Sequence, residues 1–147
     1  MGISLEQVTP RIADRRDIDA LLALWLAADS VPSITDTALD VANVIALDCA
    51  HVLVAEADGQ LIGSVIATFD GWRGNIYRLA VHPDYRRRRV ATRLLEAADR
   101  WLTEKGAKRV TALVVEAHPL AVGFWNASGY ELDERIVRYV RTLDPAP

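Results

Sequence analysis

Four consecutive arginines, Arg86 to Arg89, stand immediately before a segment whose apolar residues recur at Val90, Leu94, Leu95, Ala98, Trp101 and Leu102. That recurrence is the spacing of one helix face, and Arg93, Glu96, Asp99 and Arg100 fall on the other. A helix start presents unpaired backbone N–H groups and the positive end of its dipole, so basic residues placed there make an anion site. The geometry suits a diphosphate. Two other uses compete with it, a solvated charged surface and a nucleic-acid contact. The second is disfavoured, because one short cluster gives few phosphate contacts in a chain of net charge −3 and pI near 5.6.

The arginines need elements to hold them. Ile76 to Val81 is apolar and aromatic and ends at His82-Pro83-Asp84, the pattern of a buried strand closed by a turn. Upstream, His51 to Ala57 and Leu61 to Phe69 are β-rich runs joined by Asp58-Gly59, a hairpin signal, and the Asp70-Gly71-Trp72-Arg73-Gly74 turn feeds the strand at Ile76. Downstream, Lys105-Gly106 stops the helix and Arg109 to Val115 is a further strand, so strands 76–81 and 109–115 should be parallel neighbours. Gln7 to Ala13 is an edge strand weakened by Pro10. Asp14 caps a helix with the stripe Ile18, Leu21, Leu22, Trp25 and Leu26, and Asp36 or Thr37 opens another through Ala38, Val41, Val44, Ile45 and Leu47. The 29–35 loop between these helices is expected to rim a substrate side. Pro119 starts a last helix that Gly129 ends, and Glu134 to Leu143 alternates as a final strand whose exposed edge could pair two copies into a homodimer.

The expected class is therefore mixed α/β (an α+β mixed sheet), with roughly six to seven strands and four helices in the order β-α-α-β-β-β-α-β-α-β. A chain of 147 residues, 51% hydrophobic and 25% charged, reads as one domain, 1–147, with a single core. The lone Cys49 excludes an internal disulfide and a cysteine metal cluster, which fits a reducing, cytoplasmic setting. No metal is expected, and no apolar run or leader points to a membrane.

The element order, with its arginine-rich loop, resembles the GNAT superfamily of acetyl-CoA-dependent N-acetyltransferases. The segment IYRLAVHPDYRRRRVATRLL is similar to that family's fourth strand and its phosphate loop, Arg/Gln-x-x-Gly-x-Gly/Ala, with Arg86 first, Arg89 at the first glycine and Ala91 last. HPLAVGFWNASGYE is similar to its Asn-to-aromatic segment, ending in Gly129-Tyr130. The DGWRG turn and short C-terminus look like a small single-domain bacterial branch.

The resemblance implies an enzyme that uses acetyl-CoA as co-substrate and a primary amine as acceptor. Backbone groups at Leu79, Ala80 and Val81 would line the pantetheine arm, and Arg86, Arg87, Arg88, Arg89, Val90, Ala91 and Thr92 would hold the pyrophosphate. His118, Phe124 and Trp125 would lie by the thioester end. Arg89 at a glycine position is expected either to take a negative φ with its side chain outward, the favoured pose, or to reduce affinity. Asn75 and Leu113 stand where two branches of the family keep a glutamate base. Proton removal is left to water held by Tyr77 and His118, or by Glu116 or Asp70. Trp125 replaces a tyrosine acid, and its indole can donate a hydrogen bond to the leaving sulfur but has no usable proton. Packing roles for Tyr77, Phe124 and Trp125, and a helix-capping role for His118, stand beside these. The alternative function is an acyl-CoA-binding sensor with weak or no catalysis.

Overall fold

The computed structural model describes residues 8–114 and 119–143, and for 119–122 the backbone alone. These residues fall into two compact units, within Met1–Val114 and Val115–Pro147.

In the first unit, Asp14 accepts from Arg16 N–H at 2.8 Å, while Asp17 Oδ2 accepts from Asp14 N–H at 2.8 Å. This reciprocal cap opens a 3-10 turn, Arg15–Asp17, that runs into helix α1, Ile18–Ala27. Arg11, on the short strand β1 (Arg11–Ile12), donates to both Asp17 oxygens at 2.9 and 2.8 Å and to Glu56 on the next strand, fastening β1 to α1. The expected strand over 7–13 is thus shorter, and Gln7 lies outside the described residues. Leu26 is 79% exposed and Leu24 is buried in its place, one position round the expected stripe. Thr37 caps α2, Ala38–Ile45, by accepting from Asp40 N–H, and Leu47 lies beyond the helix end, exposed.

Strands β2 (Ala50–Ala57), β3 (Gln60–Phe69) and β4 (Gly74–Val81) form the expected meander, and β5 (Val110–Ala112) joins β4 in parallel after helix α3, Val90–Lys105. The sheet order is β1-β2-β3-β4-β5. Both Asp58 and Gly59 have positive φ, 53° and 77°, as the tight hairpin turn requires.

Successive β3 residues point to opposite faces. Ile66 belongs to the core that α1 and α2 cover, with Leu21, Leu24, Trp25, Val41, Val52, Val54 and Ala80. On the other face Gly63 and Gly74 lie beneath Val90, Leu94 and Leu102 of α3. Gly106 ends α3 at φ 93°, with Ala107 N–H returning to Leu102 O at 3.0 Å.

The second unit holds α4, Pro119–Ala127, ended by Gly129 at φ 88° with Tyr130 N–H donating to Trp125 O at 3.0 Å. Trp125 meets Phe124 and Tyr130 edge to face, at 5.3 and 4.9 Å. The final strand expected over 134–143 does not form, and among the described residues the sheet has five strands, not six or seven. Alternation alone cannot make a strand, because its backbone groups need a ladder partner, and among the described residues none pairs with this segment.

Candidate active site

The site is built on the end of β4. Ile66 pairs with Tyr77 and Ser64 with Ala80, so Val65 alone faces both Arg78 and Leu79. That is a bulge, one residue more on β4 than on β3. Arg78 absorbs it with φ 52°, a left-handed backbone that costs a residue bearing Cβ about 1–2 kcal/mol. Past the bulge the ladder resumes, with His82 N–H donating to Ile62 O at 2.8 Å. Antiparallel pairs alternate between bonded and non-bonded. Pairs 82/62 and 80/64 are thus the bonded ones, and Val81 opposite Gly63 turns its N–H and C=O away from β3. Leu79, two residues back, shares that direction, whereas buried Ala80 spends its backbone on Ser64.

On that outward side, among the described residues, β5 pairs with β4 from Gly74 to Ile76. Leu79 and the N–H of Val81 consequently face outward beyond the end of the β5 ladder, the Val81 carbonyl being met by Arg86. An extended chain could hydrogen-bond there as an added strand.

After the 3-10 turn Pro83–Tyr85, the arginine loop enters α3. Arg87 and Arg89 both take left-handed backbones, φ 63° and 64°. The expected negative φ at Arg89 is therefore wrong. The loop keeps the conformation a glycine would supply, and the arginine bears the strain. Left-handed residues at close intervals turn neighbouring amides toward a common concavity, the geometry of backbone anion nests. Among the described residues, no acceptor meets the N–H groups of the six residues 87 through 92. No side chain caps α3, and no acid stands in its first turn. Arg86 to Arg89 are exposed and form no ion pair among the described residues. One turn into α3, Arg93 buries an Nε that has no partner. Six unsatisfied donors, a helix dipole and unneutralised guanidinium groups converge on one loop, which can hold a doubly charged phosphate group.

Arg86 itself folds back, its Nε donating to Val81 O at 3.3 Å and its Nη2 to Ala28 O at 3.2 Å. It ties the loop to β4 and to the end of α1.

Tyr77 lies opposite Ile66, two residues beyond Asn75, and is 38% exposed, so its ring is no core residue. Asp70 accepts from Trp72 and Arg73 N–H groups at 2.8 and 2.7 Å, and those bonds hold its carboxyl below the usual range. That engagement ties it to its own turn. His118 and Glu116 lie outside the described residues. Phe124 and Trp125 belong to the second unit, half-buried in their aromatic cluster.

Sequence reasoning passed over Arg78 and Ser64 and read Asp36 as a possible helix cap alone. Trp25 Nε1 donates to Ser64 Oγ at 2.9 Å, Ser64 Oγ donates to Arg78 O at 2.8 Å, and Arg78 Nη2 reaches Asp36 Oδ1 at 2.6 Å. The available signal was an arginine inside an otherwise apolar strand.

Comparison with known proteins bears on this arrangement. Residues 18–130 match the model of the acetyltransferase (GNAT) family. An acetyltransferase of Pectobacterium atrosepticum is 32% identical over 134 residues, covering 91% of this chain and 95% of the relative. An aminoglycoside N-acetyltransferase, AAC(6')-Iy in complex with CoA, shares the fold at a TM-score of 0.76 and 22% identity, over 93% of this chain and 96% of that one. An aminoglycoside acetyltransferase from an uncultured soil metagenomic sample, in complex with sisomicin, does so at 0.75 and 19%, over 95% and 98%. The two structures speak to fold. The match over most of the length, the 32% identical relative, and the nest at the head of α3 together identify the chain as an acyl-transferring enzyme that belongs to the acetyltransferase (GNAT) family.

Proposed function

We propose that residues 1–147 form one domain that transfers acetyl from acetyl-CoA to a primary amine, on a small molecule or a peptide, by direct attack in a ternary complex. The observation that carries this reading is the run of unpaired amides from Arg87 to Thr92 beside the exposed guanidinium groups of Arg87, Arg88 and Arg89. They suit the pyrophosphate of coenzyme A, and the outward backbone of Leu79 and Val81 suits its pantetheine arm.

In this reading the thioester oxygen accepts from Val81 N–H, which stabilises the oxyanion as carbon becomes tetrahedral. The neutral amine attacks the carbonyl carbon, the C–N bond forms, and the C–S bond breaks with its electron pair leaving on sulfur. A thiol pKa of about 8.5 lets that thiolate depart near neutral pH without a dedicated acid. The proton lost from nitrogen passes to water, for which the half-exposed Tyr77 hydroxyl is a partner. A reducing, cytoplasmic setting belongs to the same proposal and is in keeping with the exposed thiol of Cys49.

The test is calorimetric titration of CoA, followed by labelled acetyl-CoA with a panel of aminosugars, polyamines and lysine peptides. Binding at roughly micromolar Kd, about −8 kcal/mol, is expected, with label transferred to at least one amine class. Absence of binding heat overturns the cofactor assignment. Binding without transfer above background, at neutral or raised pH, overturns the catalytic one.

A further inference from the structure

Arg78 is the one strained residue of β4, and its surroundings hold it in that state. Its Nη2 donates to Asp36 Oδ1 at 2.6 Å and its Nη1 to Val31 O at 3.0 Å, while its guanidinium lies 5.1 Å from the centre of the Trp25 ring. Its own carbonyl accepts from Ser64 Oγ, which in turn accepts from Trp25 Nε1. The Arg78 and Asp36 side chains are only 17% and 25% exposed, so water does little to screen the pair. A strained backbone persists where side-chain contacts over-determine it, and these contacts do so from both ends of the residue.

The far side of the clamp is the segment between α1 and α2. Asp36 Oδ2 accepts from Ser33 N–H at 3.0 Å, and Asp36 N–H donates to Ser33 O at 3.0 Å, so the segment closes into a small turn about one carboxylate. That carboxylate's other oxygen goes to Arg78. Among the described residues, no other hydrogen bond joins 31–36 to the sheet. Ala28, three residues before Val31, is held separately by Arg86.

We propose that Arg78 is a positioning residue: it locks the 31–36 rim to the bulged backbone leading into Leu79 and Val81, so that the rim and the cofactor strand keep a fixed register. Its role in catalysis rests on the acetyl-transfer reading above, whereas the clamp itself does not. A cofactor arm laid along Leu79 and Val81 steadies the bulge, and Arg78 passes that steadiness to residues 31–36. Arg86 passes it only as far as Ala28.

Hydrogen exchange at the amides of Ser33 and Asp36, with and without CoA, tests this in the wild type, Arg78→Gly and Arg78→Lys, with CoA affinity measured in parallel. Glycine adopts a positive φ without strain, so Arg78→Gly keeps the bulge and loses the clamp. Lysine restores a single-point cation without the fork. The expected result is CoA affinity within threefold of wild type, exchange at both amides at least tenfold faster in Arg78→Gly, loss of the protection that CoA confers on them, and partial rescue in Arg78→Lys. Retained CoA-dependent protection in Arg78→Gly overturns the proposal, as does an equal loss of protection throughout α3. If the wild type itself shows no heat with CoA, the acetyl-transfer reading fails instead, and cofactor-free exchange alone judges the clamp. Should Arg78→Gly not fold, Arg78→Met, which keeps an apolar stem over Trp25, decides by the same measurements.

Discussion

Gly63 makes the close seating of α3 possible, and adding one methyl group there should separate stability from cofactor affinity. A Cβ at Gly63 would lie 2.8 Å from Leu94 Cδ1 and 2.9 Å from Val90 Cγ1, against an ordinary carbon contact of about 3.5–4.0 Å. Both neighbours are buried, Leu94 fully, so the overlap is relieved by moving the first turn of α3 by up to about 1 Å. Overpacking of this kind costs about 1–3 kcal/mol, and the lost backbone freedom of glycine returns up to about 1. A net loss near 1–2 kcal/mol lowers Tm by about 2–6 °C in a chain of this size. The same shift carries the amides of Val90 to Thr92 out of line with any phosphate they hold. Losing one or two such charge-assisted bonds, at about 1.5 kcal/mol each, weakens CoA binding ten- to a hundredfold. Gly74→Ala is the control, because its Cβ would meet Leu102 Cδ2 at 2.9 Å and Val110 Cγ2 at 3.3 Å, near the other end of α3. Its Tm should fall comparably, with CoA affinity within about threefold of wild type. Melting curves and calorimetry on both variants decide the matter. If the two lose affinity equally, or Gly63→Ala melts early and binds normally, the head of α3 does not hold the cofactor.

Three further outcomes are expected. Arg89→Gly relieves a left-handed strain of about 1 kcal/mol but gains freedom when unfolded, so Tm should rise by no more than about 2 °C. CoA titrated at two salt concentrations should bind within about threefold of wild type, with a shallower salt dependence. Arg11→Ala leaves the 10%-exposed Asp17 side chain without its cation, and thermal melts should show a loss of about 1–3 kcal/mol with CoA affinity unchanged. His51 stacks flat on Trp101 at 5.0 Å; burial, helped by Lys105 and opposed by Glu104, lowers its pKa below 6.5. The unfolded chain therefore takes up that proton more readily, so this contribution to Tm should be intact above pH 7 and decline as pH falls through about 6.5. His51→Gln should flatten the profile.

Much of the architecture was legible because local chemistry dictated it. Asp58-Gly59, Thr37, Gly106 and Gly129 set turns and ends through their own backbone preferences, and the apolar spacing from Val90 to Leu102 marked the buried face of α3. The basic loop before α3 was legible as composition, but its shape was not. That Arg89 would accept φ 64° depends on the helix seated behind it, which no pattern of letters reports. The segment 134–143 misled for a related reason: alternation states a preference for a strand, and pairing decides the result. The clamp was hidden because Arg78, Asp36, Ser64 and Trp25 lie on four different elements and loops, brought together only by the bulge.

The surplus residue in β4 makes the strand two short rulers laid end to end. Gly74 to Tyr77 is graduated against β5 and the last residues of β3; Ala80 and Val81 are graduated against Gly63 and Ser64 alone. Deleting Leu79 would merge them into one continuous scale and give a more regular sheet, with Ala80 still opposite Ser64 but one of the two outward backbone positions gone. Cofactor affinity should then fall in a protein that melts no earlier than its parent. Chain length between residues 77 and 80 thus sets how many backbone groups the strand turns outward.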